Sequence, residues 1–141
     1  MGKVMLSISG KQRHPDGTEE KNTSRCAAEH EILEDGTHRY LYEEKDEETG
    51  AVTKSTVTVG PDGITVKRKG RFGTNLSFLK DREIDTSYRT PYGTLPIHVA
   101  TSRVVCLEVN GHINARADYR LTMEGGYDMD CSVMIRTDDF K

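Results

Sequence analysis

Apolar and polar residues alternate with a period of two along almost the whole chain, and Gly-containing turns interrupt the alternation at short intervals. A strand, whose side chains point alternately to opposite faces, produces this pattern; an amphipathic helix, with its period near 3.6, does not. No stretch of about a dozen residues keeps a helical stripe. The chain is therefore expected to be all-β, with strands over residues 4–9, 25–33, 38–45, 53–59, 64–68, 74–79, 84–90, 95–109, 112–123 and 129–136. The segment 27–33 is rich in Ala, Glu and Leu and so has some preference for helix, but strand is the better fit to its neighbours.

Turn chemistry sets how these strands pair. In Gly60-Pro61-Asp62-Gly63, Pro and Gly occupy the second and fourth positions that a type I turn prefers. The loop sets Val59 opposite Ile64 and Val57 opposite Val66, which puts their apolar side chains on one face. Asn110-Gly111 would ordinarily announce a two-residue turn. That turn would set Leu107 against the polar Asn114, so phase favours a three-residue loop with Gly111 left-handed and Leu107 opposite Ile113. The same register continues to Thr101 opposite Tyr119 and Val99 opposite Leu121, although the segment is long for one strand and has room for a bulge. Short connections throughout imply a meander, and a sheet of about ten strands removes its edges by closing. The expected architecture is one domain over 1–141, a closed antiparallel up-and-down β-barrel of the calycin or lipocalin kind.

Composition agrees with a small core: 34% of the 141 residues are hydrophobic, 13 are Gly and none is Trp. No run has the length of a signal sequence or membrane span, so a cytoplasmic protein with no membrane association is expected. Cys26, Cys106 and Cys131 are odd in number and widely spaced, and are read as reduced thiols; the sequons at Asn22 and Asn75 are then chance matches. Cys131 shares a face with Met129, Val133 and Ile135 and should react slowly, whereas Cys106 alternates outward. The net charge of -3 argues against nucleic acid unless a local patch provides for it.

Tyr40-Leu-Tyr-Glu-Glu44, Lys69-Gly-Arg-Phe72, Tyr88-Arg-Thr-Pro-Tyr-Gly-Thr-Leu95 and Tyr119-Arg-Leu121 follow one another in an order that resembles the YwiB-like family of uncharacterised bacterial proteins. The resemblance is weakest before residue 38. It implies a lipocalin-like barrel in a bacterial cytosol, and it implies no activity, cofactor or catalytic residue.

Motifs of enzymes are missing: there is no nucleophile elbow, phosphate loop or dinucleotide fingerprint, and His14, His30, His38, His98 and His112 lack metal-ligand spacing. No cofactor or metal is expected. His98, out of phase with Ile97 and Val99, reads as solvent-facing. The basic run Lys67-Arg-Lys-Gly-Arg71 with Phe72 could stack a base and neutralise a phosphate, but the acidic tip at 43–48 lies close enough to balance it. Gly125-Gly126 reads as a flexible hairpin loop.

Function is most readily placed inside the barrel. Parity along Ile97, Val99, Thr101, Arg103, Val105 and Leu107 puts a guanidinium in an apolar row, and Tyr40, Tyr42 and Glu44 form a second, partly polar row. A buried, unpaired Arg is costly; it needs a carboxylate, water at the barrel mouth, a bulge that turns it outward, or an anionic ligand. Ala115 and Ala117 leave room beside Tyr119. The expected function is binding of a small amphipathic or anionic molecule in the lumen, through Tyr42, Glu44, Tyr88, Thr101, Arg103 and Tyr119. The alternative is a protein- or RNA-interaction module using the outer surface, and an enzyme stands third.

Overall fold

The computed structural model of the chain describes residues 2–45, 48–61, 63–69, 74–90, 93–123 and 126–140, without the side chains of 74 and 88–90. Ten antiparallel strands follow in order: β1 (Gly2–Arg13), β2 (Glu19–Ile32), β3 (His38–Lys45), β4 (Val52–Gly60), β5 (Gly63–Lys69), β6 (Thr74–Leu79), β7 (Glu83–Thr90), β8 (Gly93–Val109), β9 (His112–Met123) and β10 (Tyr127–Asp139). Each pairs with its sequence neighbours, and β1 pairs with β10 to close the barrel. The segment 27–33 is strand to Ile32, and Val59 opposes Ile64 and Val57 opposes Val66 as the phase requires. Among the described residues no helix is long and apolar enough to cross a membrane. The three thiols are free.

Closure is uneven. β2 pairs with β3 only from Glu29 opposite Leu41 to Ile32 opposite His38, so the two strands part over the rest of their length. β6 meets β7 in register only at Thr74 and Tyr88, helped by the Thr86 hydroxyl donating to the Asn75 carbonyl at 3.0 Å. These two seams divide the barrel into a four-stranded wall, β3 to β6, and a six-stranded wall running β7 to β10 and through β1 to β2.

The β8–β9 hairpin corrects one expectation. Asn110 (φ 53°) and Gly111 (φ 81°) are both left-handed, which is a two-residue type I′ turn, and Leu107 lies opposite Asn114, not Ile113. Farther along, Thr101 opposes Tyr119 and Val99 opposes Leu121 as the phase demanded. A bulge reconciles the two: between Thr101 and Arg103 the strand gains one residue, and the inward face passes from odd to even positions. Val104 is consequently buried, Cys106 turns inward against the core, and Arg103 and Leu107 are exposed.

Seen along the strands, the interior has two halves. At the end carrying both termini and the 33–37, 80–82 and 110–111 turns, Leu6, Tyr40, Val57, Val59, Ile64, Phe78 and Ile113 pack into the main core. Ala115 and Ala117 are fully buried here. At the other end Ile97, Leu121, Met129 and Cys131 form a separate, smaller cluster, and the interior opens between the clusters.

Candidate functional site

An internal cavity of about 440 Å³ occupies the half of the barrel away from the termini, within the ~300 to 1,000 Å³ common for small-molecule sites. Its floor is Phe78 and Tyr119, whose rings tilt against each other with centroids 4.3 Å apart. Val66, Leu76, Ile97, Leu121, Met129 and Val133 supply an apolar wall. β1 and β2 contribute the apolar Ile8 and the polar Gln12, Asn22 and Ser24. Glu44 on β3 and Arg68 on β5 are its only charged lining groups among the described residues, and both are exposed toward the mouth. The period-two geometry of each strand brings these groups together: Val66 and Arg68 share a face of β5, as Tyr42 and Glu44 do on β3.

Of the residues expected to bind ligand, Glu44 and Tyr119 line this cavity. Tyr42 is buried beside it and lines another cleft, about 500 Å³, along the parted β2–β3 seam. Its hydroxyl and that of Ser55 are buried and complete no hydrogen bond among the described residues. Burial raises the Tyr42 phenol, with nearby Arg68 pulling it down and Glu44 pushing it up. Thr101 is buried at the β8 corner, outside the cavity wall, and its hydroxyl has no partner among the described residues. Arg103 does not belong to the lumen at all: the bulge turns it to solvent, which removes the need for a buried counterion. The Tyr88 side chain, Gly70, Arg71, Phe72, Gly125 and the acidic residues Asp46 and Glu47 lie outside the described residues.

Sequence reasoning did not assign Arg68, Gln12 or Asn22 to the barrel interior. Parity from Val66 was sufficient to find Arg68, which it turns inward while Lys67 and Lys69 lie off the cavity wall. The basic run is therefore not a single surface.

The thiols and phenols around the interior are held neutral. Burial raises Cys26, with Glu44 adding to it, and raises Cys106 beside Glu108. Cys131 is pushed up to about 11, chiefly by burial, and burial also raises its cross-strand neighbour Tyr119. None of these is set up as a nucleophile, which needs a thiolate.

Elsewhere among the described residues the buried Tyr40 hydroxyl, like that of Thr101, has no partner, while the exposed charges and the histidines are mostly paired. The outer face of β1, β9 and β10 carries a wide groove of about 570 Å³, but most of its charges pair with one another, Arg116 with Asp118 at 2.9 Å and Arg120 with Asp130 at 3.1 Å. At the packed end His30 and His38 stack and share a 2.8 Å hydrogen bond, and His38 approaches Glu108 at 3.3 Å. His98 lies on the outer face between Glu83 and Asp85, at 2.9 and 2.6 Å. No group of three or more His, Cys, Asp or Glu among the described residues could hold a metal ion.

These features define a ten-stranded antiparallel barrel, packed at one end and hollow at the other. The family model of DUF1934, described as a domain of unknown function, matches residues 6–135, and the chain belongs to that family. The crystal structure of the ywiB protein from Bacillus subtilis has the same fold, with a TM-score of 0.72, 17% sequence identity, and coverage of 97% of this chain and 92% of that one. No curated protein matches the chain.

Proposed function

We propose that the chain is a lipocalin-like binding protein that holds a small amphipathic molecule with an anionic head in the open half of its barrel. The observation that carries this reading is the mixed lining of the cavity: apolar side chains and an aromatic floor make up most of it, Gln12, Asn22 and Ser24 on β1 and β2 add polar groups, and Arg68 stands at the mouth. A dry core avoids such polar groups, and a purely aqueous groove has no use for the apolar depth. Arg68 forms no salt bridge among those present in the described residues, and its planar fork suits a carboxylate or phosphate. Three free cysteines fit a reducing, cytoplasmic setting.

Native mass spectrometry of protein purified gently from its source cells tests the reading. The expected result is a reproducible small-molecule adduct that is lost in Leu121→Trp, which fills the cavity, and weakened in Arg68→Met. An adduct of unchanged occupancy in folded Leu121→Trp would place the ligand elsewhere and end this proposal.

A further inference from the structure

We propose that the free edge of β8 from Val104 to Val109 pairs antiparallel with the same edge of a second copy of this chain, with Leu107 on the two-fold axis. β7 follows β8 only as far as Glu83 opposite Ala100, and the last backbone bond on that side runs from the Thr101 N–H to the Arg82 carbonyl at 3.0 Å. Beyond the bulge β8 continues to Val109 with β9 as its single ladder partner among the described residues. Val109 and His112 flank a two-residue turn and bond to each other, so Val109, Leu107 and Val105 bond to β9. Val104, Cys106 and Glu108 therefore direct their N–H and C=O groups away from β9, toward the open edge.

The open edges at the β2–β3 seam are guarded. The unpaired part of β2 carries Glu19, Glu20, Lys21 and Arg25, and that of β3 carries Glu43, Glu44 and Lys45, the charged residues that keep exposed edges from pairing. From Val104 to Val109 there is one charge, Glu108, and no Pro. Leu107 and Val109 are 60% and 67% exposed.

Self-complementarity selects a second copy as the occupant. With Leu107 opposite its twin, Val105 meets the partner's Val109 on the outer face, which gives one continuous apolar stripe. Cys106 and the partner's Glu108 then exchange main-chain hydrogen bonds. Arg103 falls opposite the partner's Gly111, clear of the stripe. A register centred on Cys106 would instead set Arg103 against Val109 and Glu108 against Val104. The paired edge is short, and the contact falls below the ~1,200 Å² of stable interfaces, so the dimer is reversible and concentration-dependent.

Sedimentation velocity over a concentration series tests the pairing, together with cysteine trapping. The expected result is a mass that rises toward the dimer in the native protein and stays monomeric in Leu107→Lys, which is exposed enough to keep the fold. Leu107→Cys should give a disulfide-linked dimer on mild oxidation, because non-hydrogen-bonded partners lie ~4.5 Å apart. Val109→Cys, offset from its twin, should not. A native protein that stays monomeric while Leu107→Cys fails to cross-link would overturn the proposal, as would association undiminished in Leu107→Lys.

Discussion

Thr101 faces the barrel interior and Arg103, two positions farther along the same strand, faces solvent. In an unbroken strand both would share a face, so the extra residue between them decides which side chains reach the inside. Exchanging Arg103 for Met should therefore change stability by less than ~0.5 kcal/mol and leave ligand binding intact. Thr101→Val removes a buried hydroxyl that has no partner among the described residues, and should be neutral or stabilising. Chemical denaturation of both variants checks the pair; a loss above ~1 kcal/mol for Arg103→Met would return that residue to the interior.

Gly63 is fixed by close approach to β6. A Cβ there would clash with Leu79 Cδ2 and lie 2.9 Å from the Phe78 carbonyl oxygen, so strand β5 or β6 must shift to admit it. Gly63→Ala should destabilise the protein by ~1 to 3 kcal/mol, the range for overpacking. Gly10→Ala, in a strand with open space around the added carbon, is the control and should cost far less.

Two histidines should titrate on opposite sides of the ordinary value of ~6.5. Hydrogen bonds to Glu83 and then Asp85 raise His98, so its contribution to stability is full below ~6.5 and is lost as pH rises through its higher folded value. Desolvation, with the neighbouring His38 charge, lowers His30. Its contribution is full above ~6.5 and declines as pH falls through its lower folded value. Imidazole NMR titrations should give His98 the higher midpoint and His30 the lower; the reverse order would contradict both environments.

Thiol labelling of the native protein should find Cys131 slowest, since it is buried and its thiol is pushed up to about 11. Cys106 was expected to alternate outward, but the bulge turns it inward, so it should react at a rate close to that of half-buried Cys26. Labelling of Cys106 much faster than Cys26 would mean that β8 keeps its odd-numbered face inward to the end.

Fold class, strand order and most strand limits were legible because alternation is a direct consequence of one buried and one wet face. The exceptions have physical reasons. β2 begins at Glu19, about six residues before the expected start, because Asn22 and Ser24 face the cavity and an inward face that is itself polar erases the alternation. The bulge near Ser102 could be suspected from length but not located, since a phase change there and a three-residue loop at Asn110 give the same pairs from Thr101 opposite Tyr119 to Ile97 opposite Met123. The parted seams depend on how ten strands fit around one core, which no local pattern records. Parity alone placed Glu44 and Tyr119 on the face that lines the cavity, while Arg103 was misplaced by parity carried across the bulge.

The central claim, that the open half of the barrel receives an amphipathic anion, is tested most directly by methyl-resolved NMR during titration with a medium-chain carboxylate such as dodecanoate. Saturable shifts should appear at Leu76, Ile97, Leu121 and Met129, with Leu6, Ile113 and Ile135 at the packed end unmoved, and Arg68→Met should weaken the apparent affinity. Shifts confined to outward-facing methyls such as Leu107 and Met134, or no saturable shift at any concentration below micelle formation, would contradict the claim.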